Sequence, residues 1–261
     1  MQATCDLEYI GYEMSTNAIH RIGQAVSPAE IAENPHYYSF YFGEMTKEEA
    51  AKTQDDLVIE RTLEMIRNKE LKEPFCLYVS LNLPPYEVEQ PWFSSVDRDQ
   101  IQLKTHNIEE LKDKPSLLYR IRQNQNLTSL TDADFREIRP TYYGMVAKLD
   151  HQLGRVIGAL KAEGYYEDTH VIAFADHGDF TGDYGLVEKT QNTFEDCLVH
   201  IPCLIRPAKG TPYQARTCSA MVELNDIPQT VAELMGYELD YTQFGKSLTS
   251  LFQDDVELHE Y

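Results

Sequence analysis

The densest run of chemically capable side chains in this sequence is His170–Asp179, HVIAFADHGD. Its apolar half reads as a short buried strand that delivers Asp176 and His177 just past its carboxyl end. In open α/β sheets, ligands gather at such strand ends. A carboxylate beside an imidazole there makes half of a divalent-metal site: the oxygen suits Ca²⁺, Mg²⁺ or Mn²⁺, and the nitrogen tilts toward the transition metals. Gly178 would let the backbone turn sharply beside a ligand. By residue type alone, Asp-His-Gly describes an ordinary polar strand end equally well.

Lys189 follows Asp176 by thirteen residues, beyond a loop holding Gly182 and Gly185. A cation carried by such a loop could offset charge on an anionic ester, though without context it reads as a solvated surface lysine. Asp179 and Asp183 flank the strand end and could support a metal site from behind. His151 and His200 read as solvent-facing or core histidines, and Asp150 as a residue that caps or pairs locally. The five cysteines, Cys5, Cys76, Cys197, Cys203 and Cys218, are odd in number and contain no CxxC pair. That argues against a disulfide framework or zinc knuckle, and the expectation is buried thiols in a reducing compartment.

The elements that must position these residues are clearest in the second half. Met145, Val146, Leu149, Leu153, Val156, Ile157 and Leu160 follow helical spacing from Tyr142 to Glu163, with Gly164 as the stop. Strands are expected at 170–175 and 199–207, then a strand and a helix over 219–236, capped by Asn225 or Asp226 and ended by Gly236. Earlier, Thr46–Lys69 predicts a helix opened by a Thr46/Glu49 capping box. The apolar run at 75–83 predicts a strand buried on both faces, ending at Pro84-Pro85. Residues 86–135, broken by Pro91 and Pro115, read as a surface excursion with one or two short helices, and residues 1–50 as mostly irregular. This order of elements predicts an α/β fold, a mixed sheet with helices on both faces.

Composition narrows the function further. Of 261 residues, 23 are Lys or Arg and 43 are Asp or Glu, a formal charge of −20. So acidic a surface repels phosphate backbones and anionic lipid heads, which argues against nucleic-acid and membrane partners. A hydrophobic share of 42% supports a real core. No run approaches the roughly 18–20 apolar residues that span a bilayer. The start, MQATCDLEYIGYE, shows no signal-peptide pattern, which with the unpaired cysteines favours a cytoplasmic location.

Laid end to end, Tyr142–Pro207 resembles the sulfatase family of the alkaline-phosphatase superfamily. The features that carry the resemblance are YYGMVAKLDHQLGRVIGAL, Gly164 and Thr169 before a strand, the strand ending in Asp-His-Gly, GDYGLVEK and FEDCLVHIPCLIRP. VELNDIPQTVAELMGYE and FGKSL continue the pattern, and PFCLYVSLNLPPYEV looks like the family's earlier strand before its P-H-x-P-Y turn. The matches run from about residue 53 onward, so residues 1–261 read as one partial sulfatase-like domain.

The resemblance implies hydrolysis of sulfate monoesters by a formylglycine made from cysteine or serine, with a divalent cation, usually Ca²⁺, holding sulfate and nucleophile. By position, Asp176 and His177 match the family's late metal ligands, and Lys189 its sulfate-contacting lysine. The implied substrate is a small sulfate ester of a sugar, an aryl group or choline. Three features depart from the family pattern. No cysteine fits C/S-x-P/A-x-R, and no early strand carries paired aspartates, since Asp55-Asp56 falls in a predicted helix. LPPYEV lacks the histidine of the family turn. The smaller C-terminal subdomain has no counterpart after LHEY. The chain therefore reads as the middle of a sulfatase, expected to be inactive alone. Two rival readings are a phosphate or phosphonate ester hydrolase on the same scaffold and a non-catalytic truncated pseudoenzyme.

Overall fold

The computed structural model describes residues 43–51, 53–84, 87–102, 112–125, 127–190 and 193–260. Along the chain the elements are α1 (Lys47–Ala50), α2 (Gln54–Arg67), α3 (Ser116–Asn124), α4 (Asp132–Ala162), β1 (Val171–Phe174), β2 (Phe180–Thr181), β3 (Val187–Glu188), α5 (Asp196–Val199), β4 (Cys203–Arg206) and α6 (Asp226–Met235). The chain divides into two compact units, Met1–Gly164 with His177–His200, and Tyr165–Asp176 with Ile201–Tyr261. Most of the segment expected to be irregular, 1–42, lies outside the described residues, as do Cys5, Pro85 and Tyr86.

The first unit is organised on α4. The helix starts ten residues before the Tyr142 that periodicity suggested, because Thr131 and Asp134 cap one another there. The Thr131 hydroxyl and N–H donate to the Asp134 carboxylate at 2.7 and 2.6 Å. Pro140 sits inside the helix and removes one backbone bond, at a cost of about 3 kcal/mol. Phe135 and Ile138, fully buried on the same face as Met145, offset it at roughly 1.5–3 kcal/mol each. The residue type that stops a helix in isolation is outweighed here by packing.

The single helix expected over 46–69 is two. Thr46 and Glu49 form the expected capping box for α1, but Thr53 then caps α2 by accepting the Asp56 N–H. Residues 75–83 join no strand ladder. Odd-numbered positions are half-buried while even-numbered ones are exposed, Tyr78 to 76%, so the run shows one face to solvent instead of burying both. Its end is held by a side chain: the buried Asp55 carboxylate accepts the N–H groups of Asn82 and Leu83 at 2.8 Å. Desolvation raises the Asp55 carboxyl above its usual range, and those two N–H groups oppose the rise. Nor is 86–135 merely a surface excursion. It supplies Val88, Leu118 and Leu127 to a core shared with Phe135, Ile138, Met145, Phe180, Leu186, Val187 and Leu198.

In the second unit β1 and β4 pair antiparallel, Val171 opposite Arg206 and Phe174 opposite Cys203. Among the described residues the strands form two separate two-stranded antiparallel ladders, not one wide sheet. β1 is half-buried throughout and Leu204 of β4 is 64% exposed. The expectation of buried thiols is not met at the four described cysteines. Cys76 and Cys203 are exposed, and Cys197 and Cys218 are only partly covered. No strand forms at 219–224, whereas α6 ends as expected at Gly236, with φ of 70°.

Candidate active-site hairpin

Between His177 and Lys189 the chain folds into a hairpin whose sequence explains its shape. Phe180 pairs with Glu188 and Thr181 with Val187, while Phe180, Leu186 and Val187 are buried in the core. The connecting loop needs left-handed backbone at Gly182 (φ 112°) and Gly185 (φ 68°). A Cβ on Gly185 would also lie 2.6 Å from the Arg122 guanidinium, so that position admits only glycine. Buried Arg139 of α4 fixes the loop from below. It donates to the Thr181 carbonyl and hydroxyl at 3.2 Å and pairs with Asp183 at 3.3 Å. Asp183 thus anchors the hairpin to α4. Lys114 reaches Glu195 at 2.7 Å and lies over the Tyr184 ring at 4.7 Å.

Two of the sequence-derived candidates flank this hairpin: His177 lies three residues before β2 and Lys189 directly follows β3. Lys189 is exposed and His177 half-buried. His177 Nδ1 lies 2.9 Å from the Gly178 carbonyl oxygen. A carbonyl only accepts, so Nδ1 carries the hydrogen and the neutral ring holds its lone pair on Nε2, the form that ligates. Gly178 is needed for a different reason from the turn expected: its φ is not left-handed. Instead a Cβ there would sit 2.0 Å from the Cys197 carbonyl oxygen, and its N–H donates to Leu198 at 2.8 Å. Asp176, exposed and joined to His177 by one peptide bond, is the last residue of the segment that carries β1.

Two groups with unusual acidity surround the open end, and sequence reading passed over both. Glu188 is half-buried in left-handed backbone (φ 66°). Burial pushes its carboxyl up to about 7; Asp179 adds to the rise and Lys189 opposes it. Tyr142 of α4 has its phenol pushed far up, first by burial and then by Asp179. Both lie inside segments that carry the family resemblance, but only the burial that the fold imposes marks their acidity. His151 and His200 are exposed, in line with the expectation of solvent-facing histidines, and Asp150 is exposed as well, with no local cap or ion pair among the described residues.

The donor types of Asp176 and His177 suit a hard or borderline divalent cation. Their number does not suffice: among the described residues no group of three or more His, Cys, Asp or Glu could hold a metal ion.

The family model "Sulfatase" matches residues 11–237, so the match reaches into the segment that sequence patterning left unread. Arylsulfatase K of Danio rerio is 30% identical over 225 residues, covering 79% of this chain and 42% of the relative. A sulfatase of Formosa agariphila is 27% identical over 199 residues, covering 74% of this chain and 38% of the relative. Among solved structures, the phosphonate monoester hydrolase of Agrobacterium radiobacter superposes with a TM-score of 0.69 at 26% identity, over 78% of this chain and 42% of that one. The chain thus spans about two fifths of the length of the curated relatives it matches.

Proposed function

The chain belongs to the sulfatase family, and on that footing we propose that the segment from Asp176 to Lys189 is part of a site for hydrolysing sulfate monoesters. The observation that supports this most is the hairpin itself, whose paired strands β2 and β3 lie between His177 and Lys189 in the chain. In this reading Asp176 and His177 contribute two ligands to a divalent cation, most simply Ca²⁺. Bound there, such a cation would supply positive charge for sulfate oxygens. Lys189 binds the sulfate group and offsets its charge. The substrate class is a small sulfate ester.

Catalysis also needs a nucleophile, and none of the five cysteines lies in a C/S-x-P/A-x-R context. We therefore expect the chain by itself to lack turnover. The likeness to a phosphonate monoester hydrolase supports a second reading, in which the same lysine and metal ligands face a phosphorus ester.

The test is NMR titration of the chain with inorganic sulfate, alongside calorimetric titration with CaCl₂. Sulfate should shift the His177 and Lys189 resonances together, and Lys189→Ala should abolish the response. Calcium should bind no tighter than about millimolar, as expected for two ligands in place of six to eight. Shifts that survive Lys189→Ala would overturn the sulfate role. Micromolar calcium binding lost in Asp176→Ala would overturn the incomplete site, and release of sulfate from an aryl sulfate would overturn the absence of turnover.

A further inference from the structure

The second unit carries a cleft of about 220 Å³ between the start of α6 and the loop 241–245, lined by Asn225, Pro228, Tyr241, Thr242, Gln243, Phe244 and Gly245. No lining side chain is charged, which sets it apart from a site for sulfate, phosphate or a metal ion. Four of the lining residues offer amide or hydroxyl groups. Phe244 is 82% exposed and Tyr241 60% exposed, an unusual display of aromatic surface for neighbouring loop positions. The Gln243 side-chain nitrogen is buried and makes no hydrogen bond.

The loop is already in place. A Cβ on Gly245 would lie 1.9 Å from the Asn225 carbonyl oxygen, so the chain there is pressed against the helix start. Just beyond, Lys246 donates its N–H to Asp226 at 2.7 Å and Leu248 to Thr230 at 2.8 Å. A cleft held this way loses little freedom on binding.

We infer that this cleft binds a neutral sugar ring. A pyranose has an apolar C–H face that can lie against Phe244 or Tyr241, and hydroxyl groups around its edge for Gln243, Asn225 and Thr242. The cleft is smaller than the several hundred Å³ typical of drug-sized ligands, which suits one ring. It is built from residues 225–245 alone and shares none with the Asp176–Lys189 segment.

Saturation-transfer NMR and calorimetry of the whole chain with triacetylchitotriose, lactose and adenosine test this. At least one of the two sugars should bind. Phe244→Ala and Gln243→Glu should each weaken it by about tenfold or more, while Lys189→Ala leaves it within about twofold. Phe244 is so exposed that its truncation should not disturb folding, and thermal melting checks that. Four results would each overturn the inference: no transfer to either sugar, an unchanged affinity in Phe244→Ala, loss of sugar binding in Lys189→Ala, or adenosine binding more tightly than both sugars.

Discussion

The ammonium of Lys148, buried on α4, lies 2.6 Å from the carboxylate of Asp56 at the start of α2. Glu89 approaches the same nitrogen at 3.0 Å, and Gln152 donates to the second Asp56 oxygen at 2.9 Å. One cation therefore joins α2, the loop after residue 87 and α4. Lys148→Ala would leave two carboxylates without it in a poorly hydrated place. We expect it to destabilise the chain by about 3–5 kcal/mol in urea unfolding. A loss below about 1 kcal/mol would mean that water replaces the ammonium.

Glu188 should make stability fall with pH in a defined window. Its carboxyl is raised in the folded state to about 7 from an ordinary value of 4.5. The folded chain thus favours the protonated form more than the unfolded chain does. The contribution is fully present below about pH 4.5 and is lost as pH rises through 7, by at most about 3 kcal/mol. Unfolding free energies of wild type and Glu188→Gln, measured from pH 4 to 8, should diverge over that interval. Parallel curves would refute the weakened acidity of this carboxyl.

Gly178→Ala should damage the candidate site through the backbone. The added methyl meets the Cys197 carbonyl, so α5 or the hairpin has to move. A loss on the order of 2–4 kcal/mol is expected, accompanied by a displaced His177 ring signal. An unshifted His177 signal in a folded variant would show that the close approach does not position the ring.

His259 clasps the last residues onto α6. Its Nε2 lies 3.0 Å from both oxygens of the fully buried Asp226 carboxylate, which also accepts the N–H groups of Glu223 and Lys246. His259→Ala should cost about 1.5–3 kcal/mol. Backbone amides at 254–260 should then exchange faster than in the wild type. Unchanged exchange would mean that the Lys246 bond to the Leu258 carbonyl holds this segment alone.

Local chemistry was legible wherever one short stretch decides the outcome. The Thr46/Glu49 capping box, the glycine stops at 164 and 236, and the run ending in Asp176-His177 all depend on neighbours within a few residues. So does the family pattern from Tyr142 to Pro207, because motif order is a property of the chain itself. Other features were settled by partners distant in sequence. α4 runs through Pro140 because Phe135 and Ile138 find a core, and 75–83 shows one face to solvent because no ladder takes it. Glu188 and Tyr142 acquire altered acidity only where folding removes water from around them. Spacing along a chain records what each residue can do, whereas burial, which sets the energies of charge and of apolar surface, exists only once remote segments meet.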